Sequence, residues 1–139
     1  MRVENVETAV KDVKLVGKID IAKYKCVTND IKTNEVIITD ERIQHIKDRH
    51  PNDYERYYRY MKDAIENPEY IIEANKPNSA LVLKSFTDIE TQERFKTVVR
   101  LITSVDDSSF KNSVITFMRI NEKEWSRLLR NKNILYKSE

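Results

Sequence analysis

"ALVLKSFTDIETQERFKTVVRLITSVDDSSFKNSVITFMRI", residues 80 to 120, is the stretch whose reading decides the fold. It holds three β-rich runs, at 80–86, 94–104 and 112–120, separated by turn-like segments such as "DDSSFKN", as expected of antiparallel neighbours. Side chains alternate between the faces of a strand. One set is then Leu81 and Leu83, with Phe95, Val99 and Leu101, and with Ile115 and Phe117, an apolar face suited to packing on helices. The opposite set is Val82, Lys84 and Phe86, with Lys96, Val98 and Arg100, and with Val114, Thr116 and Met118. On this reading each strand places a cation or a hydroxyl on the second face, and Lys84, Arg100 and Thr116 sit between apolar neighbours. Sheltered cations beside a hydroxyl suit a phosphate, whose transition state gains negative charge. The plainer alternative is a solvated sheet face, where lysines need no special reason.

Working outward, "YIIEA" (70–74) adds a fourth strand, and "VKLVGKIDI" (13–21), "EVIIT" (35–39) and the weaker "YKCV" (24–27) precede it. Thr39 or Asp40 can cap a helix from Glu41 that stops near His50, because the residue before Pro51 disfavours helical geometry. A second helix fits Asp53 to Glu66, ended by Asn67 and Pro68, with Tyr57, Tyr60, Met61, Ala64 and Ile65 as its core stripe. Asn121 and Glu124 form a capping box for a last helix, with Ile120 and Trp125 as its hydrophobic staple and Leu128 and Leu129 continuing the buried side. Trp125 could stack on a base, but its staple position favours core packing. "ILYK" (134–137) reads as an edge strand. The expected class is α+β: a helix pair followed by a four-stranded antiparallel sheet, with a C-terminal helix and edge strand. Residues 1–34 read as a strand-rich N-terminal extension and 35–139 as the functional domain, in one compact unit.

Composition removes several function classes. A single glycine, Gly17, excludes Gly-rich phosphate loops and dinucleotide fingerprints. A single cysteine, Cys26, excludes an internal disulfide, and two histidines leave too few soft ligands for structural zinc. The balance of 25 Lys and Arg against 23 Asp and Glu is near neutral, so any basic surface must arise locally. The first twenty residues carry no signal-like apolar run, and nothing approaches the ~20 apolar residues of a membrane span. The expectation is a cytoplasmic protein with no membrane partner and no cofactor.

Both histidines lie in "ITDERIQHIKDRHPND", residues 38 to 53. At 100° per residue, Ile43, Ile46 and His50 share one narrow sector, whereas His45, Arg42 and Arg49 cluster on another. His50 is therefore expected to order the helix end. His45, flanked by arginines three and four residues away, is either a solvated side chain or a proton-transfer group facing an anion. Five residues is the wrong helical spacing for paired metal ligands. Tyr58, at the edge of the tyrosine-rich helix, is a candidate base-stacking ring.

The ordered series "VIITDERIQHIKDRHPN", "IENPEYIIEA", "LVLKSF", "FKTVVRL" and "SVITFMRI" resembles the phage-associated nucleases of the barnase, EndoU, colicin and RelE-like fold, over roughly residues 35 to 136. The resemblance implies a metal-independent endoribonuclease, toxin-like and carried by phages or mobile elements. Its cleavage would proceed by 2′-hydroxyl attack and leave a 2′,3′-cyclic phosphate. Carried over residue by residue, the motif histidine falls on His45 or His50, and the basic and hydroxyl positions on Lys84, Arg100 and Thr116. No glutamate is matched to the general base of barnase-type members. The expected catalytic set is His45, Lys84, Arg100 and Thr116, with Arg42, Arg49, His50, Tyr58 and Lys96 binding substrate. RNA is the expected partner, with an immunity or antitoxin protein and a phage structural protein as further candidates. The rival expectation is a non-catalytic nucleic-acid-binding or assembly protein of a phage or mobile element.

Overall fold

The computed structural model describes residues 13–87 and 91–139. The expected N-terminal extension therefore lies partly, at 1–12, outside the described residues. Eleven elements follow in order: β1 (Val13–Lys18), α1 (Ile21–Tyr24), β2 (Glu35–Thr39), α2 (Asp40–Arg49), α3 (Asp53–Glu66), β3 (Tyr70–Glu73), β4 (Ser79–Thr87), β5 (Gln92–Arg100), β6 (Asn112–Ile120), α4 (Glu122–Asn131) and β7 (Ile134–Lys137). The strands form a seven-stranded sheet in the order β1-β2-β6-β5-β4-β3-β7. The α+β class holds, but the expected four-stranded sheet is corrected to seven strands. β1 and β2 add to one side, β7 closes the other on β3, and β2 runs parallel to β6 while all other pairs are antiparallel.

Local chemistry sets the helix ends. The Thr39 hydroxyl accepts from Arg42 N at 3.1 Å and starts α2. The helix stops at Arg49 because His50, before Pro51, takes a non-helical backbone (φ −136°, ψ 74°). The His50 N–H still donates to Ile46 O, and its carbonyl accepts from Asp53 N, so its backbone orders the junction. Asn52 then turns the chain with φ 73°, a left-handed position that asparagine tolerates. At α4, Asn121 Oδ1 accepts from Glu124 N at 2.8 Å. The returning half of the box is not made, because the Glu124 carboxylate instead accepts two bonds from Arg127, at 2.9 and 2.6 Å. The weak strand expected at 24–27 is also corrected. Asp20 caps a helical turn there through Ala22 N, and buried Tyr24 donates its hydroxyl proton to Ile65 O at 2.7 Å.

α2 and α3 cover one face of the sheet. Ile43, Ile46, Tyr57, Met61 and Ile65 meet Ala80, Val82, Phe95, Val99, Val114 and Phe117 in the main core, where Phe95 stacks on Phe117 with ring centroids 5.2 Å apart. α4 covers part of the opposite face, with Leu128 and Trp125 on Ile72, Leu81 and Leu83; Trp125 is thus a packing residue, set edge-on to Tyr70.

This two-sided burial corrects the expected division of faces. Cα pairing sets Lys84 opposite Phe95 and Leu83 opposite Lys96, and paired residues share a face. Lys84, Val82 and Phe86 therefore lie on the α3 side, and Leu81 and Leu83 on the side of Lys96 and Arg100. A second shift arises at a bulge. Val98 pairs with Thr116 and Val99 with Val114, so Ile115 is the extra residue and Val114 turns into the main core.

Candidate functional site

Beside α4, the second face stays open over β5 and β6 as a groove of about 510 Å³. Leu81, Val98, Ile115 and Met118 supply apolar lining, and Arg42, Lys76, Lys96 and Arg100 supply cations around Thr116. The strands deliver these groups by alternation: Lys96, Val98 and Arg100 are successive same-face positions of β5, and Thr116 is the Cα partner of Val98. Arg42 comes from the first turn of α2, packed against β6, and also lines a smaller hollow with Glu41 and His45. No carboxylate lines the groove itself.

Two carboxylates contact the cations that line it. Asp106 of the β5–β6 loop pairs with Arg100 at 3.0 Å, and Arg100 also donates to the Leu101 carbonyl. The Thr103 amide, at 2.9 Å, together with Arg100 holds the Asp106 carboxyl below its ordinary range. Glu124 approaches Lys96 at 3.9 Å, and the hydrogen bonds from Arg127 lower its pKa. Sequence reasoning missed both as site neighbours. Glu124 was readable only as a capping residue, and Asp106 only as part of a turn. The one available signal was the negative charge of residues that follow shortly after β5 and β6.

Of the residues expected to act, Arg42, Lys96, Arg100 and Thr116 come together in the groove. His45 is exposed and joins the set through Arg42, one helical turn away, without lining the groove itself. Arg49 is exposed one turn beyond His45. Lys84 is not brought to the groove. It stands on the opposite face with its Nζ 5.9 Å from the Phe86 ring centroid. Tyr58 is also remote from it, stacked on Tyr54 at 5.7 Å and lining a separate hollow with Lys14 and Lys62. His50 stays at the helix junction. Among the described residues no group of His, Cys, Asp or Glu is placed to hold a metal ion, and no helix is long and apolar enough to cross a membrane.

The sheet and groove define an α+β protein in which hydrogen-bond donors from three elements converge on one groove. A family model described as phage-Barnase-EndoU-ColicinE5/D-RelE like nuclease2 matches residues 11–137, and the chain belongs to that nuclease family. The match begins well before Glu35 and takes in β1, the strand paired to β2. Comparison with curated proteins and with solved structures finds no match.

Proposed function

We propose that the protein is an endoribonuclease working in this groove, by attack of a ribose 2′-hydroxyl on the adjacent phosphorus. The P–O bond to the 5′-oxygen breaks, leaving a 2′,3′-cyclic phosphate and a 5′-hydroxyl. Lys96 and Arg100 hold the non-bridging oxygens, Thr116 donates a hydrogen bond to one of them, and Arg42 guides the strand toward α2. His45 transfers the proton, and Arg49 steers the backbone beyond it. Lys84 has no part in this arrangement. The single observation that carries the proposal is the convergence of Arg42, Lys96, Arg100 and Thr116, from three separate elements, on one groove whose lining holds no opposing carboxylate.

RNA incubated with the purified protein in EDTA is expected to be cut, and His45→Ala to lose most of the activity, roughly a hundredfold or more for a proton-transfer group. Undiminished cutting by that variant would remove His45 from the chemistry. The non-catalytic reading is favoured by one observation, that His45 lies outside the groove lining. Salt-dependent RNA binding without product on prolonged incubation would select it.

A further inference from the structure

The groove cation with the most elaborate support is Arg100, and that support comes from a loop outside the groove. Arg100 pairs with Asp106 through one nitrogen at 3.0 Å and approaches the second carboxylate oxygen at 3.5 Å, while donating to the Leu101 carbonyl. Asp106 is itself fixed, accepting from the Thr103 amide at 2.9 Å and the Thr103 hydroxyl at 3.3 Å.

The loop that carries these groups is tied down at further points. Ser104 N donates to Asp30 at 3.0 Å, Ile102 N to the buried Asn112 side chain at 2.8 Å, and Lys32 N to the Ile102 carbonyl at 2.9 Å. Asn112 in turn donates to the Thr33 carbonyl at 2.8 Å. The segment before β2 thus clamps the loop, and the loop clamps the guanidinium.

We infer that Asp106 is a positioning residue, whose two-oxygen contact fixes the Arg100 fork so that its remaining N–H groups face the groove and meet a phosphate already oriented. The burial pattern supports this over competition for the cation. The Arg100 side chain is 35% exposed and lines the groove, whereas that of Asp106 is 16% exposed and does not. A planar guanidinium has donors on more than one edge, so a carboxylate behind it leaves others for the ligand. Held in this way, Arg100 loses little side-chain freedom when a phosphate arrives.

The inference rests on the groove being the nucleic-acid site, and the test separates the two. The probe is an oligoribonucleotide whose 2′-hydroxyls are O-methylated, so that it keeps its ribose but cannot be cut; affinity is read by fluorescence anisotropy and folding by thermal melting. Arg100→Ala is expected to weaken binding roughly tenfold or more, the scale of a hydrogen bond to a charged group. Asp106→Asn should weaken it by a similar factor while the variant stays fully folded at the assay temperature, as its melting curve checks. The double variant should bind no worse than Arg100→Ala alone, because Asp106 acts only through the arginine. If the wild type does not bind, or Arg100→Ala binds as well as the wild type, the groove reading fails and the inference with it. If Arg100→Ala loses affinity but Asp106→Asn keeps it, binds more tightly, or adds a further loss in the double variant, the positioning role alone is overturned.

Discussion

At the scale of single residues, position on the sheet outweighs residue type. Lys84 and Lys96 are both half-buried lysines, yet one stands over the Phe86 ring on the α3 side and the other lines the groove. Phosphate contacts make binding salt-dependent, with a log–log slope of about 0.7 per contact for single strands. Lys96→Ala and Arg42→Ala are expected to weaken RNA binding and each to flatten that slope by about this amount, whereas Lys84→Ala leaves affinity and slope unchanged. Anisotropy titrations across a salt series measure both. The same contrast shows what a one-dimensional pattern can carry. Lys96, Arg100 and Thr116 were assignable to one face because β5 from Phe95 onward, and β6 from Thr116 to Met118, alternate between buried and part-exposed positions. Residues 79–83 of β4 are buried throughout, and a strand buried on both sides gives no phase by which to tell Lys84's face.

At the scale of elements, α4 creates the groove by covering only part of the second face. Its start depends on Asn121, so Asn121→Ala is expected to cost about 1 kcal/mol, measured by urea unfolding. Because Leu128 and Trp125 pack on Leu81 and Leu83 beside the groove, the same substitution should also weaken RNA binding slightly. The helix boundaries were legible because Thr39, Pro51, Asn67 and Asn121 each act on backbone geometry within a few residues. The parallel pairing of β2 with β6 was not, since it joins segments some 76 positions apart, from Val36 to Asn112, and leaves no local mark. The bulge at Ile115 was equally hidden, because an inserted residue in an apolar run resembles ordinary alternation.

At the scale of the whole molecule, one sheet serves two purposes. Its α2 and α3 side supplies stability through Phe95 and Phe117, and Phe95→Ala should cost about 3–5 kcal/mol, a large share of a typical total. Its other side holds the groove, and carboxylates of the strands and loops have lowered pKa values: Asp30 by Ser104, Glu35 by Lys111 and Asp106 by the Thr103 amide. Because the folded values lie below the unfolded ones, these contacts stabilise fully above the ordinary carboxylate range and are lost as pH falls through the lower folded values. Stability followed by acid titration should therefore hold to about pH 5 and decline below it, and Asp106→Asn should make that decline shallower. The central claim is that the groove cations and His45 act on one RNA phosphodiester through the neighbouring 2′-hydroxyl. Its most direct test is to map the ends of the cleavage products in EDTA, using an RNA and its copy carrying one 2′-deoxy nucleotide at the cut position. A 2′,3′-cyclic phosphate from the first and no cut at that position in the second is the predicted result. Cleavage of the deoxy-substituted site at an equal rate, or products ending in a 5′-phosphate, would contradict it.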